Sequence, residues 1–262
     1  MSSKDKPMEY TLIREQGYEY IEKGDGPILL LLHGLFGALS NWNEVLKDFS
    51  KDYRVIIPII PIYQPTRVEA SVDALAQFVS KFVEFKQLNN FSVIGNSLGG
   101  HLALILTLQH QDKINAMVLT GSSGLYESGM GTSFPRRSDY TYVKDRVGYT
   151  FYHPETATRE LIDEVFEIIN DTGKALRIIK IARAAQQHNM RRELSLIRIP
   201  TLLVWGLNDN ITPTQVAWEF RSLMPQAELR FIDKCSHAAM MEQPEEFNRV
   251  TRQFLQKVLV SL

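Results

Sequence analysis

Six short runs rich in valine, isoleucine and leucine recur along this chain of 262 residues, at positions 28–32, 53–58, 91–94, 116–120, 201–205 and 228–232. Continuous apolar runs of this length suit strands buried on both faces, as in a parallel sheet covered by helices. Segments with helical spacing separate several of them. Residues 68–88 set Val68, Val72, Leu75, Ala76, Val79, Phe82 and Val83 three and four apart, one stripe along a helix. Residues 98–108 are apolar nearly all round, which predicts a central helix. Further helices are expected over 214–223 and 244–259, with Pro213 and Pro244 where a first turn tolerates proline. Ahead of the first run, residues 10–23 alternate polar and apolar around Gln16-Gly17, the pattern of an antiparallel hairpin. Strands alternating with helices indicate an α/β fold with a mostly parallel, twisted sheet flanked by helices.

One interval breaks the alternation. Residues 121–200 hold no convincing strand. They open on a loop rich in glycine, serine and aromatic residues over 121–142, and helical stretches follow near 157–169 and 173–188. Leu161, Ile162, Val165, Phe166 and Ile169 keep a regular apolar spacing that a disordered linker lacks. The expectation is a core domain of residues 1–121 and 197–262, with residues 122–196 inserted as a helical cap.

Composition narrows the partners. Hydrophobic residues make up 44% of the chain, enough for a sizeable core. The formal net charge is −1 with no long run of one sign, so neither nucleic acid nor a membrane is an expected partner. The start, MSSKDKPMEY, lacks the apolar core of a signal peptide, and the run at 28–32 is too short to span a bilayer. The one cysteine, Cys235, rules out an internal disulfide and reads as a small buried hydrophobe. A cytoplasmic protein is expected.

The chemistry centres on SVIGNSLGGH, residues 92–101, where Gly95-Asn96-Ser97-Leu98-Gly99 spans the change from strand to helix. A serine between glycines is often only a turn. Between a strand and a helix it fits a nucleophile elbow, in which a sharp turn lifts the hydroxyl clear of the sheet edge. The helix start then aims free N–H groups at developing negative charge. A serine nucleophile needs a base and a group that orients the base. Of the histidines His33, His101, His110, His153, His188 and His237, only His237 follows the last expected strand. Its loop opens on the same sheet edge as Ser97. Asp209 follows the preceding strand within WGLND, on that edge as well, whereas the rival Asp233 sits at a strand end and would have to turn back. The chain order Ser97, Asp209, His237 is the one this architecture requires. HGLFG, residues 33–37, follows the first buried strand and can offer a second oxyanion donor, with Leu98 N–H as the first and Leu35 N–H as the second. Phe36 is the reserve. His33 and His101 read as structural. No metal spacing and no phosphate or dinucleotide fingerprint appears, so no cofactor is inferred.

HGLFG, GNSLGGH, WGLND and KCSHAAMMEQPEEFNR, in this order, resemble the landmarks of the α/β-hydrolase superfamily over roughly residues 10–260. Asn41-Trp42, Asn96, the Gly121-Ser122-Ser123-Gly124 loop and the run from Lys234 to Arg249 are most similar to the branch that cleaves carbon–carbon bonds in meta-cleavage diketo acids. That resemblance implies a Ser97–His237–Asp209 triad and a pocket including Phe36, Asn41, Asn96, Ser123, Val165 and Ala238. Two departures bear on the substrate. Ala238 stands where the branch has a tryptophan, and Val165 stands where it has an arginine that grips a carboxylate; Arg177 or Arg183 are the candidate substitutes. The loop after the second parallel strand, residues 59–65, also lacks the branch's glycines. Dehalogenases and epoxide hydrolases of the superfamily carry an aspartate where Ser97 stands.

The expected activity is therefore serine hydrolysis of a small apolar or aromatic ester through an acyl-enzyme. Carbon–carbon bond hydrolysis, perhydrolase-like chemistry and a non-catalytic small-molecule receptor on the same fold are the alternatives. The cap aromatics Tyr126, Phe134, Tyr140, Tyr142, Tyr149, Phe151 and Tyr152 either shape such a pocket or pack the cap, and Arg136-Arg137 either attracts an acid group or is a solvated loop.

Overall fold

A strand with no polar face must be covered on both sides, and the sheet is built around such strands. The computed structural model describes residues 11–36, 40–64, 67–128 and 136–260. MSSKDKPMEY, Gly37, Pro65 and Phe134 lie outside the described residues. The strands are β1 (Ile13–Glu15), β2 (Tyr18–Lys23), β3 (Ile28–Leu32), β4 (Arg54–Pro58), β5 (Phe91–Asn96), β6 (Ile114–Thr120), β7 (Thr201–Gly206) and β8 (Glu228–Ile232). They form one sheet in the order β1-β2-β4-β3-β5-β6-β7-β8. β1 and β2 form the hairpin, and β2 pairs antiparallel with β4; from β4 to β8 every pairing is parallel. Gln16 and Gly17 turn the hairpin at φ 46° and 84°, the left-handed pair that a two-residue hairpin turn of matching twist requires.

Every residue of β5 and β7 is buried, so their lack of alternation has a direct structural cause. Along β3 the side chains divide. Leu30 and Leu32 belong to the core cluster that also holds residues of α2 (Val72–Phe85), α3 (Leu98–Gln109) and α7 (Thr214–Leu223), while Leu29 and Leu31 belong to the cluster shared with α1 (Asn43–Phe49) and α9 (Pro244–Val260). Burying each such leucine contributes about 1.5–3 kcal/mol. Helix α3 is buried from Leu98 to Thr107, as its all-round apolar sequence predicts.

Between β6 and β7 lie α4 (Tyr140–Gly148), α5 (Arg159–Asn170) and α6 (Thr172–Gln187), with no strand among the described residues. Helix α4 corrects the expected loop over 121–142. Asp139 caps it, accepting from Tyr142 N, but α4 buries little beyond Val143 and Val147, too short a stripe to read from spacing. Helix α1 is equally short and was not expected. The helix expected over 68–88 begins only at Val72, because Ser71 takes the cap position and accepts from Ala74 N. The strand expected over 91–94 continues to Asn96, so half of the glycine–serine motif belongs to the sheet. A final short helix, α8 (Ala239–Glu242), precedes α9. Among the described residues, no helix is long and apolar enough to cross a membrane.

Candidate active site

β5 ends at Asn96 and α3 begins at Leu98, so Ser97 alone makes the turn. Its φ of 54° and ψ of −121° lie where side-chain-bearing residues seldom go, at a cost of roughly 1–3 kcal/mol. Backbone bonds hold it there. Ser97 N donates to Thr120 O at 3.2 Å, and Ser97 O accepts from Gly100 N and Ser123 N at 3.0 and 3.1 Å. The turn also needs α3 to lie close on β5. A Cβ on Gly95 would sit 2.4 Å from Gly99 O, so a side chain there would force strand and helix apart.

The loop after β7 brings Asp209 to the same edge. Asp209 Oδ1 accepts from Ile211 N and Thr212 N at 2.8 and 2.9 Å, and Oδ2 accepts from the Thr212 hydroxyl at 2.8 Å. These donors fix the carboxylate, and His237 Nδ1 lies 3.0 Å from Oδ2 and 3.2 Å from Oδ1. A nitrogen facing a carboxylate carries the proton, which leaves Nε2 as the basic atom. Asp233 is exposed at the end of β8 and takes no part.

Burial works against the charged form of His237. The charge and hydrogen bond of Asp209, with the charges of Glu127 and Glu242, outweigh it and raise the imidazole above its ordinary range. The loop that carries His237 is clamped from several sides. Asn96 Nδ2 donates to Thr120 O and to His237 O, at 3.0 and 3.2 Å. His237 N donates to Thr150 O, and Glu242 accepts from both Ser236 N and Tyr152 N. Gly121, at φ 50°, leaves room for the ring: a Cβ there would lie 2.8 Å from His237 Nδ1. Burial pushes the Cys235 thiol up, so this neighbour is an inert hydrophobe and no thiolate nucleophile.

The loop after β3 closes the other side. His33 Nδ1 donates to Gly34 O at 2.9 Å and Nε2 accepts from Ile60 N at 3.0 Å, and burial pushes the ring down to about 4, so it is a neutral strut. Asn41 Nδ2 donates to Phe36 O, and the Tyr63 hydroxyl donates to Leu35 O. The loop from Ile59 onward, which lacks the expected glycines, thus supplies the tyrosine that pins Leu35.

Ser97 and His237 border one cavity of about 140 Å³. That is close to an engineered cavity of about 150 Å³ that admits benzene. Among the described residues no hydrogen bond joins the Ser97 hydroxyl to the His237 ring. Leu35, Phe36, Asn41, Asn96, Val165 and Ala238 also border the cavity. Ser123 does not: its backbone braces the elbow, Ser123 N donating to Ser97 O. Leu98, which follows Ser97 at the start of α3, is buried and is not among the residues that border the cavity. Neither substitute arginine reaches it. Arg177 donates to the carbonyls of Pro61, Ile62 and Val68, and Arg183 is exposed. Arg137 binds Ile169 O and Thr172 Oγ1, and Arg136 is exposed. Among the described cap aromatics, Tyr149 and Phe151 border the cavity and Tyr126 is 60% exposed. Sequence reasoning missed Tyr63, Thr212 and Glu127, for which no local pattern signals a role.

A family model described as alpha/beta hydrolase fold matches residues 27–161 and 165–244. The 2-hydroxy-6-oxo-6-(2'-aminophenyl)hexa-2,4-dienoic acid hydrolase of Metapseudomonas resinovorans is 27% identical, over 91% of this chain and 87% of its own. A pimeloyl-[acyl-carrier protein] methyl ester esterase of Nitrosomonas europaea is 26% identical, over 86% of this chain and 94% of its own. Among solved structures, an alpha/beta hydrolase enzyme from the metagenome of sediments from the lagoon of Mar Chica, Morocco, is 38% identical with a TM-score of 0.77, covering 94% of this chain and 98% of its own.

Proposed function

Because the chain belongs to the α/β-hydrolase family, we propose that it is a serine hydrolase that cleaves a small ester through an acyl-enzyme on Ser97. The observation that carries this reading is the strained Ser97 backbone at the mouth of a cavity shared with His237, whose other ring nitrogen is held by Asp209. His237 Nε2 takes the Ser97 proton as the hydroxyl attacks the carbonyl carbon. Asp209 fixes the tautomer and stabilises the imidazolium. The N–H groups of Leu98 and Leu35 receive the oxyanion, each donor contributing about 3–4 kcal/mol in comparable sites. His237 then protonates the leaving alcohol, and water attacks the acyl-enzyme with His237 again as base.

Residues 122–196 serve as the cap and the remainder as the core. Val147 of α4, Leu161 and Val165 of α5 and Ala182 of α6 contribute apolar wall to the cavity that Ser97 and His237 border. That wall suits an apolar acyl or alcohol portion, and Val165 and Ala238 offer nothing to a carboxylate. A second reading, hydrolysis of a carbon–carbon bond in a diketo acid, is favoured by one feature: Arg146 of α4 borders the same cavity. Turnover of short p-nitrophenyl esters beside a meta-cleavage diketo acid separates the two. Ester cleavage with no diketo acid cleavage supports the first, and the reverse preference supports the second.

A further inference from the structure

Glu127 follows β6 and borders the cavity that holds Ser97 and His237. Its Oε1 is shut off from solvent and has no hydrogen-bond partner among the described residues. Ser123, whose side chain favours the ionised form of this carboxyl group, is tied to the elbow by its backbone, with Ser123 N donating to Ser97 O at 3.1 Å. The carboxyl group thus stands beside the elbow with Oε1 buried and unsatisfied. A buried acceptor in that state costs about 1–3 kcal/mol, and such atoms in a native protein call for a cause. Neither neighbour in the proposed mechanism supplies one. Asp209 already occupies His237 Nδ1, and the walls contributed by Val147, Phe151, Leu161 and Val165 have no side-chain donor. Asn41, Asn96 and Ser128 donate to backbone carbonyls, and no hydrogen bond from Arg146 reaches Oε1.

We propose that Glu127 determines specificity by accepting a hydrogen bond from a hydroxyl or amine group of the substrate, beside the acyl carbon that Ser97 attacks. A carboxyl group keeps an acceptor whether ionised or protonated, so the recognition survives either state. Burial moves Glu127 toward the neutral form, while Ser123 and the nearby His237 favour the ionised one. The substrate is then mostly apolar with one donor near its reacting end. The inference rests on the serine-hydrolase reading for the word substrate, but the recognition itself is a binding property.

The test compares p-nitrophenyl butyrate with p-nitrophenyl 3-hydroxybutyrate, in wild type, Glu127→Leu and Glu127→Gln. Wild type should favour the hydroxy ester in kcat/KM, and Glu127→Leu should lower that preference by about tenfold or more. Glu127→Gln, which keeps a carbonyl acceptor, should fall between them and serves if Glu127→Leu does not fold. A preference unchanged in both variants overturns the proposal. So does an equal loss for both esters, which would make Glu127 an electrostatic partner of His237. Titration calorimetry of the same esters on Ser97→Ala, with and without Glu127→Leu, reads recognition without turnover. A Glu127-dependent preference there, with no ester cleaved by wild type, sustains this inference and sinks the hydrolase reading. Turnover with no Glu127-dependent preference does the opposite.

Discussion

His237 Nδ1 lies 3.0 Å from Asp209 Oδ2, and Thr212 donates to that carboxylate from both its backbone and its hydroxyl. The carboxylate that faces His237 is therefore fixed independently of the ring. Replacing Asp209 with Asn keeps the shape and presents an amide that favours the wrong tautomer. We expect kcat to fall by about 10⁴-fold with binding little changed. Asp233→Asn should leave kcat within about twofold, since the group is a surface carboxylate. Steady-state kinetics of both variants checks the choice between the two aspartates.

The raised pKa of His237 has a definite sign in the rate. In the proposed mechanism catalysis needs the neutral ring, and a raised pKa means the ring stays charged to higher pH. Activity should therefore fall as pH drops through a midpoint above the ordinary imidazole value of about 6.5. Removing the Asp209 charge should move that midpoint down, and so should Glu127→Gln. A pH profile of kcat/KM for wild type and both variants reads these shifts.

Gly121 has two reasons to be glycine, its φ of 50° and the 2.8 Å that a Cβ would leave to His237 Nδ1. Gly121→Ala should displace the ring. A misplacement of about 1 Å costs on the order of 10²-fold in rate, and the backbone strain costs about 1–3 kcal/mol in stability. Paired kinetics and thermal melts should show both losses.

Glu242 accepts from Ser236 N and Tyr152 N, joining the histidine loop to the segment after α4. Glu242→Ala strands the donor of the buried Ser236, at about 1–3 kcal/mol, while the exposed Tyr152 N can turn to water. The melting temperature should fall, and hydrogen exchange should rise at Ser236 and Tyr152 ahead of the sheet.

The fold was legible where burial imposes one pattern. The apolar runs at 28–32 and 201–205 became strands with those bounds or one residue more, because a strand covered on both faces tolerates little else. The order of Ser97, Asp209 and His237 was legible for a related reason: each follows a strand, and parallel strands deliver their ends to one edge. What escaped was set by contacts distant in sequence. Val68 looked helical, yet Ser71 caps α2 and Arg177 holds the Val68 carbonyl. Arg177 looked available to a substrate, yet three main-chain carbonyls claim it. Ser123 looked like a pocket residue and instead braces the elbow from below. Tyr63 and Glu127 lie in irregular loops, where no periodicity says which way a side chain points.

The central claim is that Ser97 is the nucleophile. Incubation with a fluorophosphonate, followed by intact-mass measurement and peptide mapping, tests it most directly. One adduct, on the peptide carrying Ser97, absent from Ser97→Ala and much slowed in His237→Ala, is the predicted result. A wild-type protein that takes no label, or an adduct on another residue that persists in Ser97→Ala, would contradict it.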